Sequence, residues 1–244
     1  MIHQNEERKI LFLMKTMKAK HVDNTMKKGQ FCFNHPSVFN RWENTYSAQS
    51  DIWDGHGSII AENLVYAPIL QDDEDAYICG EIKPLVDKAN VHFQTNITKN
   101  TPVCCFRMIE ENEVVFNHEM RTMNFSLGKT ADRIINEFGH DSYILIHRAS
   151  FIERLKKQNR FISRAVTYKD IVRLGEISLT SPDVQYKEEF QELSEQLFRK
   201  DKRFEWQKEY RIALTPPTEK NPVFVEIGSI EDIAVSGKIA DLRN

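Results

Sequence analysis

Near the start of the chain, apolar positions recur at Ile10, Leu13, Met14, Met17 and Val22. That spacing is close to the α-helical period and predicts a helix over 6–28, closed by Gly29 as the left-handed residue after its last turn. Polar and aromatic positions then alternate from Gln30 to Asn34, so Phe31 and Phe33 share one face of a short strand that stops before Pro36. Residues 58–70 read as strand and turn, Asp72 to Asp75 as an exposed loop, and 102–108 as a β-rich stretch. A helix is expected after Thr130, its N-cap, ending at Gly139; a buried strand over 142–147 and a basic helix near 149–159 follow. Another strand is expected within 162–170. The helix expected over 183–200 has Ser181 as its cap, Pro182 in its first turn, and an apolar stripe of Tyr186, Phe190, Leu193 and Leu197. Strands at 209–214, 223–227 and 233–235 close the chain. Strands outnumber long helices and show no βαβ rhythm, which predicts an α+β fold with mixed or antiparallel sheets. With no repeat, no low-complexity linker and no composition break, one domain is expected over 1–244, its first 28 residues forming an N-terminal helical segment.

The strand at 209–214 raises the functional question. Successive side chains alternate between its faces, so Gln207, Glu209, Arg211 and Ala213 point one way. Tyr210, Ile212 and Leu214 point the other way, into a core. The polar face is either a solvated edge carrying a surface Glu/Arg pair of little energetic weight, or the wall of a cleft. Leu197, Phe198, Phe204 and Trp206 just before it imply a packed approach.

Bulk properties change this picture only slightly. The chain has 244 residues, 41% hydrophobic and 28% charged, with a net charge of -3, as an ordinary globular protein does. Residues 43–90 hold ten acids and two bases, whereas 148–173 hold eight bases and two acids. The basic segment fits either a solvated face or an anionic partner. Four cysteines, two of them adjacent at Cys104 and Cys105, form neither a disulfide framework nor a Cys-x-x-Cys motif. The eight histidines are scattered, so no metal site is expected. No apolar run reaches the ~20 residues that span a bilayer, and the charged N-terminus is unlike a signal peptide. A cytoplasmic protein with reduced thiols and no membrane partner is expected.

The segment RFEWQKEYRIAL, Arg203 to Leu214, resembles the (Gln/Glu)-x-Glu element of ADP-ribosyltransferases, with Gln207 and Glu209 in its two polar positions. Further segments resemble a bacterial family of unknown function associated with abortive infection and phage defence. These are KGQFCFNHPSVFN from Lys28, VCCFRM from Val103, AVTYKD from Ala165, WQKEYRI from Trp206 and VEIGSIEDIAVSG from Val225. Their order agrees from about residue 28 to 238. Arg107 stands where that family has a small hydroxyl residue, and Gln207 or Lys208 where it has a first Glu. Ser178 to Ser181 resembles the Ser-Thr-Ser element of some ADP-ribosyltransferases, although Ser181 also reads as a helix cap. The resemblance implies a split antiparallel or mixed sheet of ADP-ribosyltransferase type, NAD as substrate, and a macromolecular acceptor, with RNA or DNA suggested by the basic segment. It also implies a toxin or anti-phage effector, with an antitoxin or defence-complex partner.

That chemistry explains the residue types. Breaking the nicotinamide–ribose bond develops oxocarbenium character, and hydrogen bonds to the ribose 2′-hydroxyl strengthen as it does. Glu209 is the candidate carboxylate and Gln207 the candidate acceptor-orienting amide. Arg211 is a candidate for the NAD pyrophosphate or for pairing with Glu209, and Arg107 for an anion. Phe33, Asn34 and Tyr168 are further candidate cofactor contacts, with core packing the alternative for Phe33. Two rival readings remain: a magnesium-dependent nuclease using Asp51, Asp54 and Glu209, with His56 nearby, and a non-catalytic module of a defence complex.

Overall fold

The structure, a computed structural model, describes residues 10–40, 57–66, 69–71, 76–78, 83–94, 96–117, 119–120, 122–169, 176–180 and 196–243. It is a mixed α+β fold. In chain order its first half holds β1 (Ile10–Met17), α1 (Ala19–Lys28), β2 (Gln30–Phe33), α2 (Pro36–Asn40), β3 (Gly57–Tyr66), β4 (Ile69–Gln71), β5 (Ala76–Ile78), β6 (Lys83–Gln94), α3 (Asn96–Lys99) and β7 (Val103–Glu110). The second half holds β8 (Val114–Asn117), β9 (Thr122–Phe125), α4 (Lys129–Arg133), β10 (Ser142–His147), α5 (Arg148–Lys156), β11 (Arg160–Ala165), β12 (Thr167–Lys169), β13 (Glu176–Thr180), β14 (Arg199–Asp201), β15 (Glu209–Thr215), β16 (Val223–Glu226) and β17 (Ala234–Lys238).

A six-stranded sheet in the order β11-β15-β7-β1-β10-β17 organises the rest, and every neighbouring pair in it is antiparallel. Both of its faces are buried. One carries Leu13, Met17, Cys104, Phe106, Ile144, Ile146, Tyr210, Ile212 and Leu214, packed under Phe151 and Leu155 of α5 and under Phe31, Phe33 and Val225 of the β2–β16 ribbon. The opposite face is divided. Met14, Ile109 and Leu145 pack with Ala131, Ile134 and Ile239 at one end, and Val103 and Ala213 pack with Leu197 and Phe198 at the other.

Two-sided burial explains the main departure from the sequence expectation. The predicted 6–28 helix is strand β1 followed by α1 within the described residues. Leu13 and Met17 face one core and Met14 the other, so a strand apolar on both sides reproduces the i, i+3, i+4, i+7 spacing of a helix. Gly29 does close α1, at φ 58°, and donates its N–H to the Thr25 carbonyl. The helix expected after Thr130 starts at Lys129 behind Gly128, and its second half, Ile134–Phe138, is a π-helical turn ending at Gly139. The expected strand in 162–170 is two strands in different sheets, β11 and β12. Most of the 183–200 helix, and the loops at Gln49 to Gly57 and Asp72 to Asp75, lie wholly or mainly outside the described residues. At the far end of that expected helix, residues 199–201 are strand β14, paired parallel with β12.

Gly29 and Gly139 both hold left-handed backbone, at φ 58° and 62°, but their surroundings differ. A Cβ on Gly29 would meet the Gly228 carbonyl oxygen at 2.2 Å, while one on Gly139 would meet nothing within 4 Å. Gly139→Ala should therefore cost only the left-handed penalty of about 1–2 kcal/mol. Gly29→Ala should cost clearly more, because the clashing atom is backbone. Urea denaturation of the two variants checks this, and equal losses would contradict the packing described.

Candidate functional site

Polar side chains from β15 and β7 occupy the seam between the two apolar clusters of the divided face. The β15–β7 register sets Glu209 opposite Arg107, Arg211 opposite Cys105 and Ala213 opposite Val103. On the far side of β15, Arg211 lies opposite Arg164 of β11. β15 is thus an interior strand with two buried faces, and the solvated-edge alternative does not hold: Glu209 is 5% exposed and Arg211 0%.

A carboxylate at this depth needs charge partners. Arg211 Nε donates to Glu209 Oε1 at 2.5 Å, and Lys200 Nζ of β14 donates to Oε2 at 3.0 Å. The same Lys200 ammonium donates to Gln207 Oε1 at 2.9 Å. Arg211 Nη1 is further tied to the Leu197 carbonyl at 2.7 Å. Tyr168 of β12 accepts the Glu209 backbone N–H at 2.8 Å. Burial alone would push the Glu209 carboxyl up, but Arg211 and Lys200 outweigh it and hold the group well below the usual carboxylate range. Burial pushes the Tyr168 phenol up, and the Glu209 charge adds to that shift.

The backbone before β15 is shaped to bring Gln207 and Glu209 to one ammonium. Residues Lys202–Gln207 form a 3₁₀ turn whose cap, Asp201, accepts the Arg203 N–H. Lys208 follows in the left-handed region at φ 43°, the non-glycine residue with positive φ among those described. This conformation is uncommon for a lysine and is held by contacts at both ends. The Lys208 N–H donates to the Glu205 carbonyl and its own carbonyl accepts from the Met108 N–H. Its ammonium pairs with Glu110 at 3.0 Å and Glu113 at 3.1 Å.

Glu209 and Gln207 border one cavity of about 90 Å³, with Arg107, Cys105, Met14 and Thr16 of the sheet and Trp206. Ile134 and Phe138 of the π-helical turn and Phe106 of β7 complete its lining. Single π turns of this kind are frequent at functional sites. Trp206 is a fixed part of that wall: Arg133 lies 3.8 Å above its ring and Phe138 stacks on it at 6.0 Å. Arg107 donates Nη1 to the Trp206 carbonyl at 2.7 Å and faces Glu113 at 3.6 Å. Arg107 Nε and Trp206 Nε1 are buried without a hydrogen-bond partner among the described residues.

Of the residues singled out from the sequence, Gln207, Glu209 and Arg107 meet at this cavity, and Tyr168 and Arg211 support Glu209 from beside and behind it. Phe33 and Asn34 do not come to it. Phe33 is in the opposite core with Tyr210 and Ile212, and Asn34 bridges Val103 at the start of β7. Asp51, Asp54 and His56 lie outside the described residues. Among the described residues no group of three or more His, Cys, Asp or Glu side chains is placed to hold a metal. Cys32, Cys104 and Cys105 form no disulfide among the described residues. No described helix is long and apolar enough to cross a membrane. Lys200 is not among the sequence candidates. Its only signal is the unusual polar pair Gln207/Glu209, whose shared face calls for a cation.

The depressed Glu209 carboxyl has a stability consequence with a definite sign. Its contribution is complete above the unfolded carboxylate range near ~4.3 and is lost as pH falls below it toward the folded value. Glu209→Gln should therefore flatten the stability–pH curve between about pH 5 and pH 2. Denaturant midpoints across that range check this, and an acid limb identical to wild type would contradict it.

Comparison with known protein families, with curated proteins and with solved structures finds no match to this chain.

Proposed function

We propose that the chain cleaves NAD at the nicotinamide–ribose bond and transfers ADP-ribose to a macromolecular acceptor, nucleic acid being favoured by the basic 148–173 segment. The observation that carries the proposal is that Gln207 and Glu209 open on one cavity and share one ammonium. Each carboxylate oxygen has about two acceptor sites, so cation-paired Glu209 can still take a hydrogen bond from a ribose 2′-hydroxyl. Because Arg211 and Lys200 offset its charge, its role in this reading is to accept and strengthen that bond as the oxocarbenium develops. Gln207 beside it orients the acceptor. Arg107 Nε and Trp206 Nε1, each buried unpaired at a penalty of about 1–3 kcal/mol, supply donors for a ligand oxygen or nitrogen. The cavity is far below the ~300–1,000 Å³ of typical ligand pockets, so only the reacting end of a dinucleotide enters it. The resemblance to defence-associated proteins makes a toxin or anti-phage effector the matching biological role.

Incubation of the full chain with labelled NAD and separate pools of RNA, DNA and protein tests the activity and identifies the acceptor. Glu209→Gln keeps the volume and removes the charge, and should lower NAD cleavage ~100-fold or more, on the order of 3 kcal/mol. A folded variant that turns over NAD at the wild-type rate would refute the assignment. Magnesium-dependent cleavage of nucleic acid without NAD would favour the nuclease reading instead.

A further inference from the structure

We propose that Lys200 is a positioning residue that sets both polar members of the site, an inference that rests on the transferase reading above. Lys200 is 8% exposed, and its ammonium reaches Gln207 Oε1 at 2.9 Å and Glu209 Oε2 at 3.0 Å. An ammonium can only donate, so the Gln207 amide must turn its oxygen toward Lys200 and its NH₂ end away. The orientation of Gln207 is thereby coupled to the charge on Glu209, nine positions beyond Lys200 in the chain. Strand β14, which carries Lys200, is held by its parallel pairing with β12 and by the Phe204 ring 4.9 Å from the ammonium. Among the described residues, the groups facing Glu209 are Arg211 on its own strand, Lys200 on β14, Arg107 and Cys105 on β7, Tyr168 on β12 and Gln207 on the preceding turn. Arg211 is fully buried, tied to the Leu197 carbonyl, and holds Oε1. Lys200 donates to both Gln207 and Glu209.

This role predicts that Lys200 acts through Glu209 and Gln207 and not through binding NAD. The full chain carrying Lys200→Met or Lys200→Arg would be compared with wild type in two measurements. The first is the titration of the Glu209 carboxyl by carbon NMR on protein labelled at the glutamate side-chain carbonyl carbon, assigned by its absence in Glu209→Gln. Lys200→Met should raise that titration by about one pH unit or more, and Lys200→Arg should leave it near wild type. The second is NAD turnover. Lys200→Met should lower kcat ~10-fold or more with little change in KM for NAD, and should reduce transfer to the acceptor more than hydrolysis. Lys200→Arg should recover most of the loss. A folded Lys200→Met protein with an unshifted Glu209 titration and wild-type kcat would overturn the proposal. If wild type does not cleave NAD, the transferase reading fails, while the titration still decides whether Lys200 sets the state of Glu209: a shift supports it and no shift overturns it. Lys200→Gln answers the same question if Lys200→Met does not fold.

Discussion

The burial of the Glu209 carboxylate between two apolar clusters dictates the arrangement around it. An ionised carboxylate in that seam is tolerated only with opposite charge and hydrogen bonds in place. Arg211, two residues along the same strand, supplies the first cation, but at zero exposure it needs partners of its own and takes the Leu197 carbonyl as well. Lys200 of strand β14 supplies the second cation, reaching Glu209 Oε2 at 3.0 Å. The 3₁₀ turn at Lys202–Gln207 and the left-handed Lys208 then follow as the short path from one strand to the other. Tyr168 completes the shell by taking the first N–H of β15.

The split of the sheet's second face into two clusters is what makes room for this. Met14 and Ile109 close one side, and Val103 and Ala213 the other, so the polar residues at Cys105, Arg107, Glu209 and Arg211 line a strip between them. The cavity sits at the end of that strip nearest the π-helical turn. Its walls are aromatic and sheet residues, with Trp206 held by the stacked Phe138 ring and by the Arg133 guanidinium over its own ring. A site of this build is preorganised by packing.

Period-two alternation makes the two faces of β15 legible in the sequence, and Tyr210, Ile212 and Leu214 do enter a core. The same alternation puts Arg107 on the face of Cys105 and Val103, where it meets Glu209. Alternation does not say how deep a face lies. Glu209 and Arg211 are compatible with a solvated edge on pattern alone, because their burial depends on β11 and β7 flanking the strand, which is a matter of register and sheet order. β1 is illegible for a related reason: a central strand with apolar side chains on both faces loses its alternation and imitates a helix. Lys200 cannot be singled out locally, since its role arises from a parallel pairing with β12 more than thirty residues earlier in the chain. Phe33 and Asn34 have the character of pocket residues, an aromatic and an amide preceding a turn, yet β2 packs on the opposite face of the sheet.

Buried ion clusters seldom add stability over well-packed apolar residues of similar size, whereas removing one member alone costs about 3–5 kcal/mol. The proposed chemistry at Glu209 would account for a chain that keeps Glu209, Arg211 and Lys200 together in its interior. The most direct measurement is the urea stability of a variant in which all three become methionine, set beside the three single replacements. The account predicts that the triple variant is about as stable as wild type or more so, well above Arg211→Met alone, and does not cleave NAD. A triple variant no more stable than Arg211→Met alone would show that the charges hold the fold together, and would contradict the view that they are kept for function.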